Sequence, residues 1–267
     1  MKISQVAVQL YTLREFLKTP AAIAAALKKV RAIGFQAVQV SGMGPIVESE
    51  LNAILAGEGL SCCATHENGA MILDETERVI DRLQKLNCRY TAYPYPAGID
   101  FSTSASVLAF ARRLDLAGAY MRRAGLVLTY HNHAVEFSRV DGKLVLDMIY
   151  DHTDRENLQG EPDVYWVQAG GQNPVEWCRK LNGRLPLLHL KDYAMVNNTP
   201  VFAEVGRGNL DMPAIIKAGD DAGCQWFMVE QDNCYGQDPF VALETSFRYL
   251  ITLADNWSPP VDRSNAT

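Results

Sequence analysis

Short, nearly continuous apolar runs alternate with amphipathic stretches along the whole chain. The runs QVAVQLY, FQAVQV, LSCCATHE, RYTAYPY, GLVLTYHNH, DVYWVQ, LPLLHLKD and QWFMVEQD have the length and apolar density of buried strands. Between them, helical periodicity covers Pro20 to Ile33, Ile46 to Glu58, Glu75 to Leu86, Ser104 to Arg123, Val175 to Leu181, Met212 to Gly223 and Pro239 to Ala254. Asn173-Pro174 and Asp211-Met212-Pro213 each supply an N-cap with proline in the first turn, and Gly34, Gly125 and Gly223 stand where helices should stop. Strands apolar on both faces and alternating with helices predict a parallel sheet covered on both sides. Eight such units in a chain of this length predict a closed α/β (β/α)8 TIM barrel, a single domain over 1–255 with a C-terminal tail at 256–267. An open doubly wound sheet is the competitor, but no GxGxxG follows the first run.

Composition narrows the function more than the fold. With 267 residues, 48% hydrophobic and 21% charged, the chain has the make-up of an ordinary soluble globular protein. A formal charge of −6 leaves no concentrated basic surface for a phosphate backbone, so nucleic acid is not an expected partner. No run approaches the apolar length of a membrane span, and the N-terminus MKISQVAVQLYTLREF lacks a signal-peptide core, so a cytoplasmic location without membrane attachment is expected. The number of subunits is left open, with a homo-oligomer compatible. Six cysteines without a CxxC pair read as reduced, mostly buried thiols.

Chemistry in such barrels sits at the carboxyl ends of the strands, and polar residues gather there in this chain. They include Tyr11, Thr12 and Arg14, His66-Glu67-Asn68, Tyr93 and Tyr95, His131-Asn132-His133, Gln168, His189, Lys191-Asp192 and Glu230-Gln231-Asp232. Four of them or their neighbours offer metal ligands: Glu136 after strand five, Asp163 opening strand six, His189 in strand seven and Glu230 ending strand eight. Their spacing, close to one βα unit between the first three, would bring them round one mouth. Three carboxylates and an imidazole suit one divalent ion, Mn2+, Mg2+, Co2+ or Zn2+, with the harder ions favoured. Four unrelated buried polar groups are the alternative, but buried charges need partners.

The motifs YHNHAVEF, EPDVYWVQAGGQNP, LLHLKDY, VGRGNLD and FMVEQD resemble the sugar isomerase/epimerase group of xylose-isomerase-like TIM barrels, to which inosose dehydratase and the type 2 AP endonucleases are related. The resemblance runs from Ile3 to Leu253 and is most specific in the second half. It implies that Glu136, Asp163, His189 and Glu230 hold one divalent metal. Two departures stand out. Trp166 occupies the place of a histidine three residues after the strand-six aspartate, and only His66 remains of the extra ligands of a three-metal repair site.

Such a site suits proton removal beside a carbonyl, with a metal-stabilised enediolate and Glu136 and Glu230 on opposite faces of the substrate. Lys191 would stabilise an oxyanion or protonate a leaving hydroxyl. His131 and His133, two apart on a strand, share a face; one would bind a substrate hydroxyl or relay a proton and the other brace Glu136. His66, His131, Trp166, Gln168 and Arg207 are the expected substrate contacts on a small sugar or polyol. His152 reads as a surface residue. Isomerase or epimerase is the leading expectation, a metal-dependent lyase of the inosose-dehydratase or keto-glycoside type the second, and a non-catalytic sugar-binding barrel the third.

Overall fold

The structure, a computed structural model, describes residues 1–256. Apart from Asn256, the predicted tail lies outside the described residues. Eight parallel strands form the centre: β1 Val6–Gln9, β2 Ala37–Val40, β3 Ser61–His66, β4 Tyr90–Tyr93, β5 Val127–His131, β6 Leu158–Glu161, β7 Leu187–Leu190 and β8 Trp226–Val229. They pair in the order β6-β5-β4-β3-β2-β1-β8-β7, so β1 meets β8 as a barrel requires. The last seam, between β6 and β7, is closed by a few contacts: Gly160 N donates to Arg184 O, His189 N donates to Pro162 O, and Asp163 and His189 form an isolated parallel bridge.

The helices are α1 Pro20–Ile33, α2 Glu48–Gly57, α3 Gly69–Asp74, α4 Thr76–Lys85, α5 Ser104–Arg123, α6 Val145–Asp151, α7 Val164–Ala169, α8 Pro174–Lys180, α9 Met212–Asp221 and α10 Pro239–Asn256. The expected caps form. Asn173 accepts from Val175 N and Glu176 N, and Asp211 from Ala214 N, satisfying donors that a helix start leaves bare. Gly34 ends α1 at φ 124° against the Phe247 ring, where an added Cβ would lie 2.4 Å from a ring carbon. Both backbone and space demand glycine there.

Strand six departs from expectation. DVYWVQ is helical: Asp163 is the N-cap of α7, its Oδ1 accepting from Tyr165 N and Trp166 N. The strand is LQGE, directly before it. A short apolar run does not distinguish buried strand from buried helix, and β6 hides its identity because its inward residues are polar.

Strand alternation sorts the barrel interior into levels. Toward the amino ends, Ala7, Ala37, Ala64, Tyr90, Leu187 and Met228 form a separate apolar cluster. One step up stand Gln9, Gln39 and Thr129, and above them His66, His131, Glu161, His189 and Glu230. β3 carries a bulge: Val38 pairs with Cys62 but Gln39 with Ala64, so Cys63 is the extra residue. That insertion shifts the alternation and turns His66 into the barrel.

Candidate active site at the barrel mouth

A cavity of about 560 Å³ opens at the carboxyl ends of the strands, lined among others by Tyr11, Arg14, His66, Tyr95, His131, His133, Lys191, Glu230 and Asp232. Its size suits a small-molecule ligand. At its floor, ligand atoms of His131, Asp163, His189 and Glu230 all lie within 4.8 Å of one another, and so do those of His66, His131, Glu161 and His189. Two overlapping sets therefore share two imidazoles.

Three of the four residues expected to bind metal are brought together, and Glu136 is not. Its carboxylate accepts from Tyr130 Oη at 2.9 Å and from His133 N at 2.8 Å. The Tyr130 ring stacks on Tyr93 and meets Phe110 of α5 edge-on, which places Glu136 on the helix side of the wall. The reason is local. Beyond His131 the chain leaves the strand and turns through a short 3-10 segment at Val135–Phe137, so strand alternation no longer fixes where residue 136 points. Burial there pushes its carboxyl up to about 7. Its expected roles as ligand and base are withdrawn with it. His133 does support Glu136, but through its backbone N–H and not its ring.

Glu161, which sequence reasoning passed over, takes the inward position. Its Oε1 lies 2.6 Å from His66 Nε2, 2.7 Å from His189 Nε2 and 3.6 Å from His131 Nδ1. Gln39 Nε2 donates to both of its oxygens, at 3.0 and 3.1 Å, and Thr129 Oγ1 to Oε2. Burial would raise its pKa, yet His66 and His189 hold it well below the usual carboxylate range. Gln39 is itself held by Gln9 Nε2. The signal available was the EPD of EPDVYW: Glu161 stands two residues before Asp163, as inward strand positions do.

Lys191, fully buried, occupies the upper part of the floor. Its Nζ lies 2.8 Å from Asp163 Oδ2, 2.9 Å from Glu230 Oε2 and 3.1 Å from Asp232 Oδ2. Burial would lower its pKa, but these carboxylates raise it, so it stays an ammonium. Glu230 is in turn held well below its ordinary value by Lys191 and His189 against the effect of burial, whereas burial and Glu230's charge push Asp232 up to about 7. His189 bridges the two sets, its Nδ1 2.9 Å from Glu230 Oε2. Burial lowers it, but Glu161 and Glu230 outweigh that and raise it to about 10 in the absence of a cation.

Burial, aided by His189, keeps the His131 ring neutral, and burial pushes His133 down to about 3. The His131 and His133 rings are 5.1 Å apart, so the two do share the inner face. Asn132, pointing otherwise, accepts from Asp163 N. Trp166 packs 5.2 Å from His133 and 5.7 Å from Lys191 Nζ, behind these two lining residues and outside the cavity lining where a substrate contact was expected. Gln168 and Arg207 are elsewhere. Gln168 belongs to α7 and lines a groove with Asn173 and Asp211, and exposed Arg207 lines another with Arg248 and Tyr249. The Asp192 carboxylate accepts from Gly206 N, Gly208 N and Leu210 N and thereby shapes the VGRGNLD loop. His152 is exposed, as expected.

The donor set fits a divalent cation. His131 Nδ1 is buried without a hydrogen-bond partner, Asp163 Oδ2 is buried against the Lys191 ammonium, and carboxylates and neutral imidazole converge around them.

A family model described as xylose isomerase-like TIM barrel matches residues 27–252. The chain belongs to that family. A sugar phosphate isomerase/epimerase from Parabacteroides distasonis shares the family fold with a TM-score of 0.79 at 21% identity, over 94% of each chain. L-Ribulose 3-epimerase superposes with a TM-score of 0.73 at 14% identity over 95% of each chain. A xylose isomerase-like TIM barrel protein from Mycobacterium smegmatis, solved in complex with magnesium, gives 0.72 at 15% identity over 96% of this chain and 99% of that one. At these identities the likeness is one of fold. A search of curated proteins finds no match. Among the described residues no helix is long and apolar enough to cross a membrane.

Proposed function

We propose that the protein is a divalent-metal-dependent isomerase or epimerase of a small sugar or polyol, moving a proton at a carbon beside a carbonyl. The observation that carries this reading is the convergence of two overlapping sets of imidazoles and carboxylates, which share His131 and His189, with Lys191 at the floor of one cavity. Neighbours named isomerase and epimerase agree with it. A bound divalent cation would polarise a substrate carbonyl and stabilise negative charge on its oxygen. Glu230, an ionised carboxylate facing the cavity, serves as the base. Lys191, a buried ammonium, stabilises oxygen anions or returns a proton, and Tyr11 and Tyr95 offer apolar walls for a sugar face, with Trp166 packed behind His133.

Incubation of the metal-loaded protein with ketoses in deuterated water tests this. Deuterium entering the carbon next to the carbonyl, with an isomeric product, is the expected result. A second reading, a metal-dependent lyase, is favoured by the charged Lys191, an acid placed where a leaving hydroxyl could be protonated. It would reveal itself by an ultraviolet-absorbing enone. Tight sugar binding with neither exchange nor enone, whichever metal is supplied, would leave only the sugar-binding barrel.

A further inference from the structure

We propose that the cation sits in the lower, histidine-rich set of His66, His131, Glu161 and His189, and that Lys191 replaces a cation among the upper carboxylates. The proposal rests on the metal-dependent reading above and assigns which residues hold the ion.

His131 and His189 belong to both sets but present opposite nitrogens to each. His131 Nδ1 faces Glu161 and its Nε2 faces Asp163; His189 Nε2 faces Glu161 and its Nδ1 faces Glu230. A neutral imidazole has one lone pair, so each ring serves one set at a time. The lower choice satisfies the other nitrogen of His189: Nδ1–H donates to Glu230 Oε2 at 2.9 Å, leaving Nε2 free for a metal. A carboxylate that orients a metal-bound histidine through its second nitrogen is a recurring arrangement.

The lower set also has the shape of a coordination sphere. Ligands bonded at about 2.0–2.2 Å lie roughly 3 Å from one another. Around Glu161 Oε1, the nitrogens of His66, His189 and His131 stand at 2.6, 2.7 and 3.6 Å. His131 Nδ1 is buried and has no hydrogen-bond partner, which an ion there would supply. Gln39 holds both Glu161 oxygens in place, and its own Oε1, 2.7 Å from His189 Nε2, adds another oxygen at the same spot.

In the upper set the position is taken. Lys191 Nζ touches Asp163 and Glu230 at 2.8 and 2.9 Å, and a divalent ion bound to those oxygens would face an ammonium at close range. Three imidazoles with one carboxylate select borderline ions such as Zn2+, Co2+, Ni2+ or Fe2+ over Mg2+. Glu230 is then left out of the coordination sphere.

The full chain, stripped by chelation and titrated with Co2+ in the absence of substrate, separates the two sets. One Co2+ per chain, with visible absorption characteristic of nitrogen-rich ligation, is the expected result. Glu161→Gln and His66→Gln should each weaken binding well beyond the roughly 10- to 100-fold that Glu230→Gln, which only orients His189, should cost. Mg2+ in millimolar excess should fail to displace Co2+. Circular dichroism checks each variant, and His66→Gln, altering a partly exposed residue, guards against misfolding of Glu161→Gln. Loss of Co2+ from Glu230→Gln with retention in Glu161→Gln and His66→Gln, or displacement by Mg2+ on equal terms, overturns the proposal. So does a wild-type chain that binds no Co2+. Binding is read without turnover: proton exchange with the ion assigned to the upper carboxylates sinks this proposal alone, and Co2+ in the lower set without exchange sinks only the isomerase reading.

Discussion

Below Gln9 and Gln39 the barrel is filled with Ala7, Ala37, Ala64, Tyr90, Leu187 and Met228, while above them the barrel presents His66, His131, Glu161, His189 and Glu230. Both halves are buried, yet they are held by different physics. The lower half gains from apolar burial and dense packing. The upper half holds charges that are tolerable only because each faces an opposite charge or a hydrogen-bond partner. Alternating small and large side chains on neighbouring strands suffices for the first, whereas the second demands that every group be placed by another.

The comparison can be broken from either side. The largest effect belongs to the upper half: Glu230→Gln should lower turnover roughly 10²–10⁴-fold, measured as steady-state rate on whichever ketose the exchange assay identifies, with far-ultraviolet circular dichroism unchanged. An unaltered rate would remove Glu230 from the chemistry. Leu187→Ala, in the lower half, should cost about 2–5 kcal/mol in urea unfolding through the cavity it leaves, while cation affinity of the folded protein hardly changes. If affinity falls in parallel, the two halves are not energetically separate. Chelation of the metal should reduce stability by about 2.7 kcal/mol relative to protein in cation at a hundred times Kd, seen as a lower melting temperature with no loss of helix before the transition.

The smallest effect concerns Glu136, outside both halves. Its carboxyl, raised by burial from 4.5 to about 7, favours the folded state when protonated. That contribution is complete below pH 4.5 and lost as pH rises through 7, so the wild type should lose of order 3 kcal/mol across the interval. Glu136→Gln should flatten this slope and leave cation binding unchanged. A variant that loses the cation would restore Glu136 as a ligand.

The fold was legible because seven of the eight strands carry an apolar signature and the helices have readable caps such as Asn173 and Asp211. β6 escaped for a physical reason: Glu161 sits inside the barrel, so LQGE resembles a loop while the apolar DVYWVQ beside it resembles a strand. His66 depended on the bulge at Cys63, which no alternation rule anticipates. Asp163, His189 and Glu230 could be found because the ends of parallel strands converge. Glu136 could not be placed in that way, since four residues outside the strand separate it from the end of β5. Gln39 and Asp232 matter through their neighbours alone, and pattern in a single strand carries no information about those.

The bridge between Asp163 and His189 joins the last two staves of the barrel, and His189 also points its side chain toward the candidate ion. An ion bound to His189 would therefore act as a rivet beside the join that hydrogen bonds secure most sparsely. β8 fixes the register of β7, but until β7 docks on β6 His189 stays apart from Glu161, so a half-assembled chain would have little hold on metal. Ion capture would then mark the final moment of folding.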